Sequence, residues 1–245
     1  MNKILFSIIT SHLNDYNNLL KTGKSLCNQT FNNFEWIVIN GSDSDDAIKN
    51  LYDIKSEINL IIINEKDNGI YDAWNKGITL VRGEWISFVG AGDTYHADAL
   101  EHYYRYINEH SEINYVSSKA NVMNELEKVL RIRGESYNKN KIKRYMHGVH
   151  SGSFHKKDLL LKHYPFKQLK SAGDYDFFLR SNDSIIPGFI DIITINIEST
   201  GSSKTFHALL ERFSLHNRYF GLFHSIYQLI ISVIKFYIRK LIYKY

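Results

Sequence analysis

Cysteine and proline are almost absent from this chain of 245 residues. The single cysteine, Cys27, excludes a disulfide framework and a zinc site built from cysteines, and only two prolines argue against a proline-rich linker. The apolar run at the N-terminus is short and lacks a small-residue cleavage site, which favours a first strand over a signal peptide. With 44% hydrophobic and 23% charged residues, the composition is that of a globular protein, and intrinsic disorder is excluded.

The net charge of +4 is unevenly distributed along the chain. From Lys204 onward there are seven lysines and arginines and one acidic residue, so this tail carries +6 and the preceding residues carry −2. A slightly acidic body lacks the basic face that nucleic-acid binding requires, so no nucleic-acid partner is expected. The basic tail favours contact with an anionic surface.

The first half of the chain alternates short apolar runs with segments of helical pattern. Several runs are continuous, as in parallel strands buried on both faces, and the alternation predicts an α/β fold with a mostly parallel central sheet and flanking helices. The predicted strands are Ile4–Thr10, Glu35–Asn40, Leu60–Asn64 and Trp85–Val89. The predicted helices are Tyr16–Leu26, Asp46–Ile54 and Ile70–Val81.

The second half shows a looser alternation of patterns. Two of its apolar segments are predicted to pair as a small antiparallel ribbon, Asn114–Ser118 with Glu127–Arg133. The other predicted elements are helices at Ala97–Glu109 and Asp174–Arg180 and strands at Ser151–His155 and Ile185–Ile197.

Polar side chains gather at the turns that follow the predicted strands. In an open α/β sheet, ligands bind beyond the carboxyl ends of the strands, so these turns are expected to form one rim. Any one of these side chains is also explained by hydrogen bonds within its own turn. Their recurrence after each strand favours a divalent cation, or hydrogen bonds to sugar hydroxyls and base edges. The residues are Asn14, Asn40, Asp43, Asp45, Asp67, Asp72, Asn75 and Asp93.

Four sequence segments carry a resemblance to a known family. They are FSIIT at 6–10, FEWIVINGSDSD at 34–45, NEKDNGIYDAWNKGI at 64–78 and GEWISFVGAGD at 83–93. In this order they resemble the motifs of family 2 glycosyltransferases, which are inverting enzymes of the GT-A fold. The third segment is especially similar to bacterial members that act in polysaccharide, O-antigen and colanic-acid synthesis. The resemblance covers about residues 4–200.

The resemblance implies a nucleotide-sugar pocket at the rim. Thr10 and its loop are expected to line this pocket, and Asn40 stands where the family usually has an aspartate that helps to hold the base. An amide in place of a carboxylate keeps an acceptor, adds a donor and removes the charge. Asp67 and Asn75, with Lys76 nearby, match positions that bind the nucleoside and order the loop after the third strand.

The fourth segment stands where the family carries its metal-binding acids. Asp93 matches the last of them, whereas Gly92 replaces a residue that is commonly aspartate. One carboxylate can still hold Mn²⁺ or Mg²⁺ when diphosphate oxygens and waters complete the coordination shell. The alternative is that Asp93 only caps a helix beginning near Tyr95.

The second half is expected to bind the acceptor. Within MHGVHSGSF at 146–154, His150 matches a family histidine expected to contact the diphosphate or the acceptor. Within SAGDYDFFLR at 171–180, Asp174 matches the catalytic base, which removes a proton from the acceptor hydroxyl during attack on the sugar. Asp176 is expected to be structural and to pair with Arg180 four residues later.

The tail from Tyr219 to Tyr245 has the pattern of a C-terminal amphipathic helix. Its longest uncharged run is too short for a confident membrane span. One interpretation is a helix packed on the body or on a second subunit, which would make a homodimer. The other is a helix in the plane of a membrane surface, with its lysines and arginines at anionic headgroups.

These observations predict an inverting glycosyltransferase that moves a sugar from a nucleotide-diphosphate sugar to a lipid-linked saccharide. A UDP-sugar is the first candidate for the donor. The expected parts are a GT-A domain at 1–203, with a donor half at 1–94 and an acceptor half at 95–203, and a basic tail at 204–245. The expected location is cytoplasmic, peripheral on the inner face of the cell membrane. Two alternatives are a non-catalytic paralogue that binds nucleotide sugars and a sugar nucleotidyltransferase, although the loop after the first strand lacks the glycine-rich, basic character of the latter.

Overall fold

A computed structural model describes residues 3–42, 51, 58–199 and 206–243 of the protein. The predicted helix Asp46–Ile54 therefore lies outside the described residues apart from Leu51, which is buried. Asp43 and Asp45, two of the polar residues assigned to the rim, also lie outside them.

Four parallel strands form one half of the central sheet, in the order β3-β2-β1-β4. They are β1 (Phe6–His12), β2 (Phe34–Asn40), β3 (Asn59–Asn64) and β4 (Trp85–Phe88). All residues of β2 and β4 are buried, as the continuous apolar runs predict. The strand predictions are confirmed to within two residues at either end.

The sheet continues beyond β4 with strands of mixed direction. Its order there is β8-β6-β9-β5, with β7 paired to the far end of β6. These strands are β5 (Thr94–Tyr95), β6 (Tyr115–Met123), β7 (Val129–Arg133), β8 (Phe154–Lys156) and β9 (Pro187–Glu198). The antiparallel ribbon is confirmed, but its bounds were wrong. β7 pairs with residues 120–123 of β6, because β8 occupies the start of β6 at Tyr115 and Val116 while β9 runs along the whole strand.

Helices cover both faces of the sheet, and an apolar cluster lies beneath each layer. They are α1 (Tyr16–Cys27), α2 (Ile70–Ile78), α3 (Ala99–Glu109), α4 (Lys157–His163), α5 (Gly173–Ser181), α6 (Phe206–Phe220) and α7 (Leu222–Tyr243), with a 3₁₀ turn at Asn182–Ser184. Side chains from α1 and α3 fill one cluster, and those from α2, α4, α5 and α6 fill the other. The strands of β1 and β2 contribute alternate residues to the two clusters, as the two-residue period of a strand requires.

The C-terminal tail forms two helices, which corrects the prediction of a single helix from Tyr219. Gly221 separates α6 from α7 with a φ of +82°, a left-handed conformation that glycine adopts without strain. Among the described residues, no helix is long and apolar enough to cross a membrane.

The tail's inner and outer faces are not those of an ordinary surface helix. The polar residues Ser225 and Gln228 are buried, whereas the Phe223 side chain is 92% exposed. The other exposed apolar side chains of this face are Leu222, Ile226, Tyr227, Ile230, Val233 and Ile234.

Candidate active site

The polar rim forms at the carboxyl ends of the parallel strands, where β1 and β2 end side by side at His12 and Asn40. Asn40 is buried, and its amide nitrogen donates to Asn64 Oδ1 over 3.3 Å while its Oδ1 accepts from the Ser42 backbone amide over 3.2 Å. The Asn40 amide thus joins the ends of β2 and β3. An aspartate would keep only the acceptor half of this pair of bonds.

Asp67 lies directly over the turn that follows β2. A β-carbon on Gly41 would collide with Asp67 Oδ2, so this position requires glycine. Asp67 Oδ1 accepts from the Gly69 backbone amide over 2.9 Å, which holds the loop between β3 and α2 in place. The structure therefore brings Asn40 and Asp67 together at the rim.

Thr10 lies inside the fold rather than at the surface of the rim. Its side chain is fully buried, and its hydroxyl accepts from the Trp36 indole Nε1 over 3.0 Å. The residue supports the rim from below by linking β1 to β2.

Asn75 and Lys76, on α2, hold two different loops. The buried Asn75 amide donates to the Phe166 carbonyl over 2.9 Å and accepts from the Phe166 amide over 2.8 Å. Lys76 Nζ lies 2.8 Å from Glu65 Oε1 and donates to the Lys66 carbonyl over 2.5 Å. Lys76 thus orders the loop after the third strand, whereas Asn75 fixes a loop of the second half.

A cleft of about 670 Å³ lies on the outer side of α2. Asn75 and Lys76 line it, together with Tyr164–Gln168, while Asn40, Asp67, Asp93 and Asp174 are not among its lining residues. Asp72 and Asn75, two of the residues predicted for the rim, thus line this cleft.

Asp93 is held between the end of β9 and the loop before β8. Its Oδ1 accepts from the Glu198 backbone amide over 3.0 Å, and its Oδ2 accepts from the Ser151 hydroxyl over 2.5 Å. Burial raises the pKa of Asp93 to about 6, against the lowering effect of these hydrogen bonds. The helix-cap alternative is wrong, because Thr94 and Tyr95 form β5 and the next helix begins at Ala99.

Asp174 lies in the first turn of α5. Its Oδ1 accepts from the Tyr71 hydroxyl over 3.0 Å and from the Tyr175 backbone amide over 2.8 Å. Burial, and next the nearby Asp174 carboxylate, raise the pKa of Tyr71 well above its usual value, so the phenol stays protonated and remains a donor. Gly173 permits this approach, because a β-carbon there would lie 2.8 Å from the Tyr71 ring.

Tyr71 is a residue that motif reasoning did not single out. Tyr71 stands inside the most specific of the four segments, two residues after Gly69, but its partner is 103 residues away in sequence. Only the packing of α2 against α5 shows that the tyrosine belongs with Asp174.

Asp176 has the structural role predicted for it. Its buried carboxylate accepts from Arg180 Nε over 2.7 Å, from Lys167 Nζ over 2.6 Å and from the Tyr219 hydroxyl over 2.9 Å. These bonds attach α6 to α5, and they leave Asp176 unsuited to act as a base.

His150 lies among aromatic rings rather than on an open surface. It packs on Trp74 and Phe88, and its Nε2 is 3.2 Å from His155 Nε2. Burial lowers the pKa of His150, and the Asp174 carboxylate partly offsets this effect. His150 is therefore neutral near pH 7.

Known proteins resemble this chain in sequence. Residues 7–165 match the family model described as glycosyl transferase family 2. The chain belongs to this family. It is a glycosyltransferase, similar to a PGL/p-HBAD biosynthesis glycosyltransferase of Mycobacterium tuberculosis, with 26% identity over 80% of this chain and 78% of that one. It is also similar to the amylovoran biosynthesis glycosyltransferase AmsB of Erwinia amylovora, with 32% identity over 41% of this chain and 35% of that one.

Solved structures of this glycosyltransferase's fold include two with bound nucleotides. Staphylococcus aureus TarS 1–349 in complex with UDP-GlcNAc has a TM-score of 0.70 and 17% identity, over 86% of this chain and 64% of that one. The mannosyltransferase PcManGT of Pyrobaculum calidifontis, in complex with GDP-Man and Mn²⁺, has a TM-score of 0.63 and 14% identity, over 94% of this chain and 75% of that one. The glycosyltransferase spans 39% of the longer TarS chain. The likeness confirms the GT-A fold.

Within residues 3–42, 51, 58–199 and 206–243, no cluster of three or more His, Cys, Asp or Glu side chains could hold a metal ion. The Asp93 carboxylate, which Ser151 and the Glu198 amide orient, suits a hard divalent cation that takes its other ligands from a diphosphate and water.

Proposed function

We propose that the protein is an inverting glycosyltransferase that moves a sugar from a nucleotide-diphosphate sugar to a hydroxyl of a lipid-linked saccharide. One observation carries the proposal: the neighbouring residues His150 and Ser151 link the two acids that such a transfer needs. Ser151 donates to Asp93 over 2.5 Å, and the adjacent His150 packs on Trp74. Trp74 in turn packs on Tyr71, whose hydroxyl donates to Asp174 over 3.0 Å. A donor diphosphate at Asp93 and an acceptor at Asp174 would therefore lie at one site.

Asp174 is the proposed general base. The two hydrogen bonds described for its carboxylate both reach Oδ1, from Tyr71 and from the Tyr175 amide, so Oδ2 can accept the acceptor's hydroxyl proton. Because the Tyr71 phenol stays protonated, it fixes the orientation of the carboxylate throughout the neutral range. General-base catalysis of this kind contributes about 10²–10⁴-fold to a rate.

Asp93 is the proposed protein ligand of Mn²⁺ or Mg²⁺, which when bound neutralises charge on the leaving diphosphate. The bond from Ser151 and the bond from the Glu198 amide hold the carboxylate in one orientation before the cation arrives. Asn40, at the end of β2, and Asp67, which lies against the following Gly41, are the proposed contacts of the nucleoside, with UDP as the first candidate nucleotide.

The biological setting follows from the relatives and from the tail. The relatives are named for PGL/p-HBAD biosynthesis and for amylovoran biosynthesis, and on this basis we place the enzyme in bacterial surface-polysaccharide synthesis. The exposed apolar face of α7 and the +6 charge after Ser203 suit the anionic, cytoplasmic face of the cell membrane. An acceptor on a lipid carrier would be met at that surface.

The test is a donor panel. The purified protein is incubated with UDP-, GDP- and dTDP-sugars and Mn²⁺, with and without a lipid-linked saccharide, and release of the nucleoside diphosphate is followed. We expect release with one donor class, stimulated by the acceptor and abolished by EDTA. The anomeric configuration of the product, determined by NMR, distinguishes inversion from retention. Release with no donor under any condition would refute the proposed reaction.

A further inference from the structure

The loop that carries Asp93 is attached to the end of β9. In the β5–β9 pairing, Thr94 is opposite Asn196 and Tyr95 is opposite Ile195. This register brings Glu198, the last residue of β9, beside Asp93, and the Glu198 backbone amide donates to Asp93 Oδ1 over 3.0 Å.

The Glu198 carboxylate occupies the space beside Gly92. A β-carbon on Gly92 would lie 2.8 Å from Glu198 Cδ and 2.8 Å from its Oε1. Gly92 also has a φ of +101°, a conformation that residues with a β-carbon rarely adopt. An aspartate at position 92 would therefore be strained and would collide with a carboxylate that is already there.

Asn18 also lies beside this carboxylate. Its side-chain nitrogen lies 3.5 Å from Glu198 Oε2 and donates to Asp15 Oδ2 over 2.8 Å. Its backbone carbonyl accepts from the Gly92 amide over 3.0 Å. The start of α1, the loop after β4 and the end of β9 thus fix Glu198 in relation to Asp93. Glu198 is only partly buried, so a cation can reach it from solvent.

We propose that Glu198 supplies the second carboxylate of the divalent-cation site, in place of the acid that position 92 lacks. The inference rests on the proposed function, because the cation is the one that accompanies the donor diphosphate. Two carboxylates on different elements, together with diphosphate oxygens and water, make an all-oxygen ligand set of the kind that Mn²⁺ and Mg²⁺ prefer. A glutamate that reaches in from β9 explains how the motif keeps its chemistry with glycine at 92.

The experiment measures Mn²⁺ binding directly, by electron paramagnetic resonance of free Mn²⁺, with UDP and in parallel with GDP. The variants are Glu198→Gln, which keeps the shape and removes the charge, Glu198→Asp, which keeps the charge on a shorter arm, and Asp93→Asn. The matched control is Glu101→Gln, which removes an acid of α3 paired with Arg105. Thermal melts establish that each variant is folded, and nucleotide binding without metal is measured separately.

We expect Glu198→Gln to weaken Mn²⁺ binding about 10-fold or more, with nucleotide binding in the absence of metal unchanged within twofold. The Mn²⁺ affinity of Glu198→Asp should lie between those of Glu198→Gln and the wild type, and the Mn²⁺ affinity of Glu101→Gln should equal that of the wild type. If Glu198→Gln binds Mn²⁺ as tightly as the wild type while Asp93→Asn does not, the inference is wrong and the proposed function stands. If the wild type binds neither nucleotide, the proposed function fails and the inference fails with it.

Discussion

At the scale of single residues, the clearest prediction concerns Asp174. Changing Asp174→Asn removes the proton acceptor but keeps the bonds from Tyr71 and the Tyr175 amide. We expect turnover to fall about 10²–10⁴-fold, with donor binding within a few-fold of the wild type. Steady-state kinetics with saturating acceptor measure turnover, and calorimetry with the nucleoside diphosphate measures donor binding.

The matched control is Asp183→Asn, which changes an exposed acid just beyond α5. Wild-type turnover in Asp174→Asn would exclude Asp174 as the base.

A second prediction separates positioning from chemistry. Tyr71→Phe leaves the ring that packs on Trp74 and Phe166 but removes the hydroxyl that orients Asp174. We expect kcat to fall about 10-fold with the KM for the donor unchanged, because one hydrogen bond to a charged group is worth about 1.5–3 kcal/mol. An unchanged kcat in Tyr71→Phe would show that Tyr71 only packs.

At the scale of elements, α6 is attached to the body through a buried histidine. His216 is 4% exposed, and its Nε2 lies 2.9 Å from the Tyr175 hydroxyl. Burial, with smaller contributions from His224 and Arg212, lowers the pKa of His216 to about 4. The unfolded chain binds this proton near pH 6.5, so the stabilising contribution is complete above that pH and decreases as the pH falls toward 4.

The resulting prediction is a pH-dependent melting temperature. When the pH is lowered from 7 to 5, the melting temperature of the wild type should fall by about 3–8 °C more than that of His216→Gln. His207→Gln, which changes an exposed histidine of the same helix, should keep the wild-type slope. Equal slopes for His216→Gln and the wild type would mean that His216 is not the group responsible.

The second element is α7, whose exposed face is apolar. Deleting residues 222–245 should release the protein from anionic liposomes while transfer to a short soluble acceptor survives, because α6 and the rim remain. In the full chain, Phe223→Ser combined with Ile230→Ser should weaken binding strongly, since each buried side chain contributes about 1.5–3 kcal/mol. Leu126→Ser, which changes an exposed leucine far from α7 in sequence, is the matched control. Each basic residue near the lipid adds about 1 kcal/mol, so added salt should weaken binding.

Co-sedimentation with vesicles measures this binding. If the deletion binds liposomes as well as the full chain, the membrane assignment of α7 is wrong. If the deletion instead converts a dimer to a monomer, as shown by light scattering, the apolar face belongs to a subunit interface.

At the scale of the whole molecule, the donor half and the acceptor half share one sheet. β8 from the second half lies beside β4, and β5, which begins at Thr94, pairs with β9. We therefore expect a single cooperative unfolding transition in calorimetry, with the calorimetric and van't Hoff enthalpies equal. Two separate transitions would show that the halves 1–94 and 95–203 fold independently.

The sequence predicted the parallel half of the sheet well because its strands are buried on both faces and therefore read as continuous apolar runs. It predicted α2 three residues too long. The helix ends at Ile78 because the following amides turn back to Lys76 and Gly77 and the Arg82 amide goes to Glu35, a contact that local pattern does not contain.

In the candidate site, too, local sequence pattern does not contain the contacts between distant residues. Motifs identified Asp93 and Asp174, since each stands in a short characteristic segment. They did not identify Tyr71 or Glu198 as partners, because those pairs are 103 and 105 residues apart and only the packed fold brings them together. Nor did the pattern of the tail show that Ser225 and Gln228 would face inward, since a helical period shows that two faces exist but not which of them is buried.

The exposed apolar face of α7 has a practical consequence for anyone who handles the protein. This chain presents a row of aromatic and aliphatic groups on one side and a surplus of positive charge at one end. We therefore expect it to adsorb at air–water boundaries and on plastic, so that dilute stocks would lose material to their containers. A mild detergent below its micelle concentration would keep the enzyme in the bulk of the solution, and assays run without one would understate its specific activity.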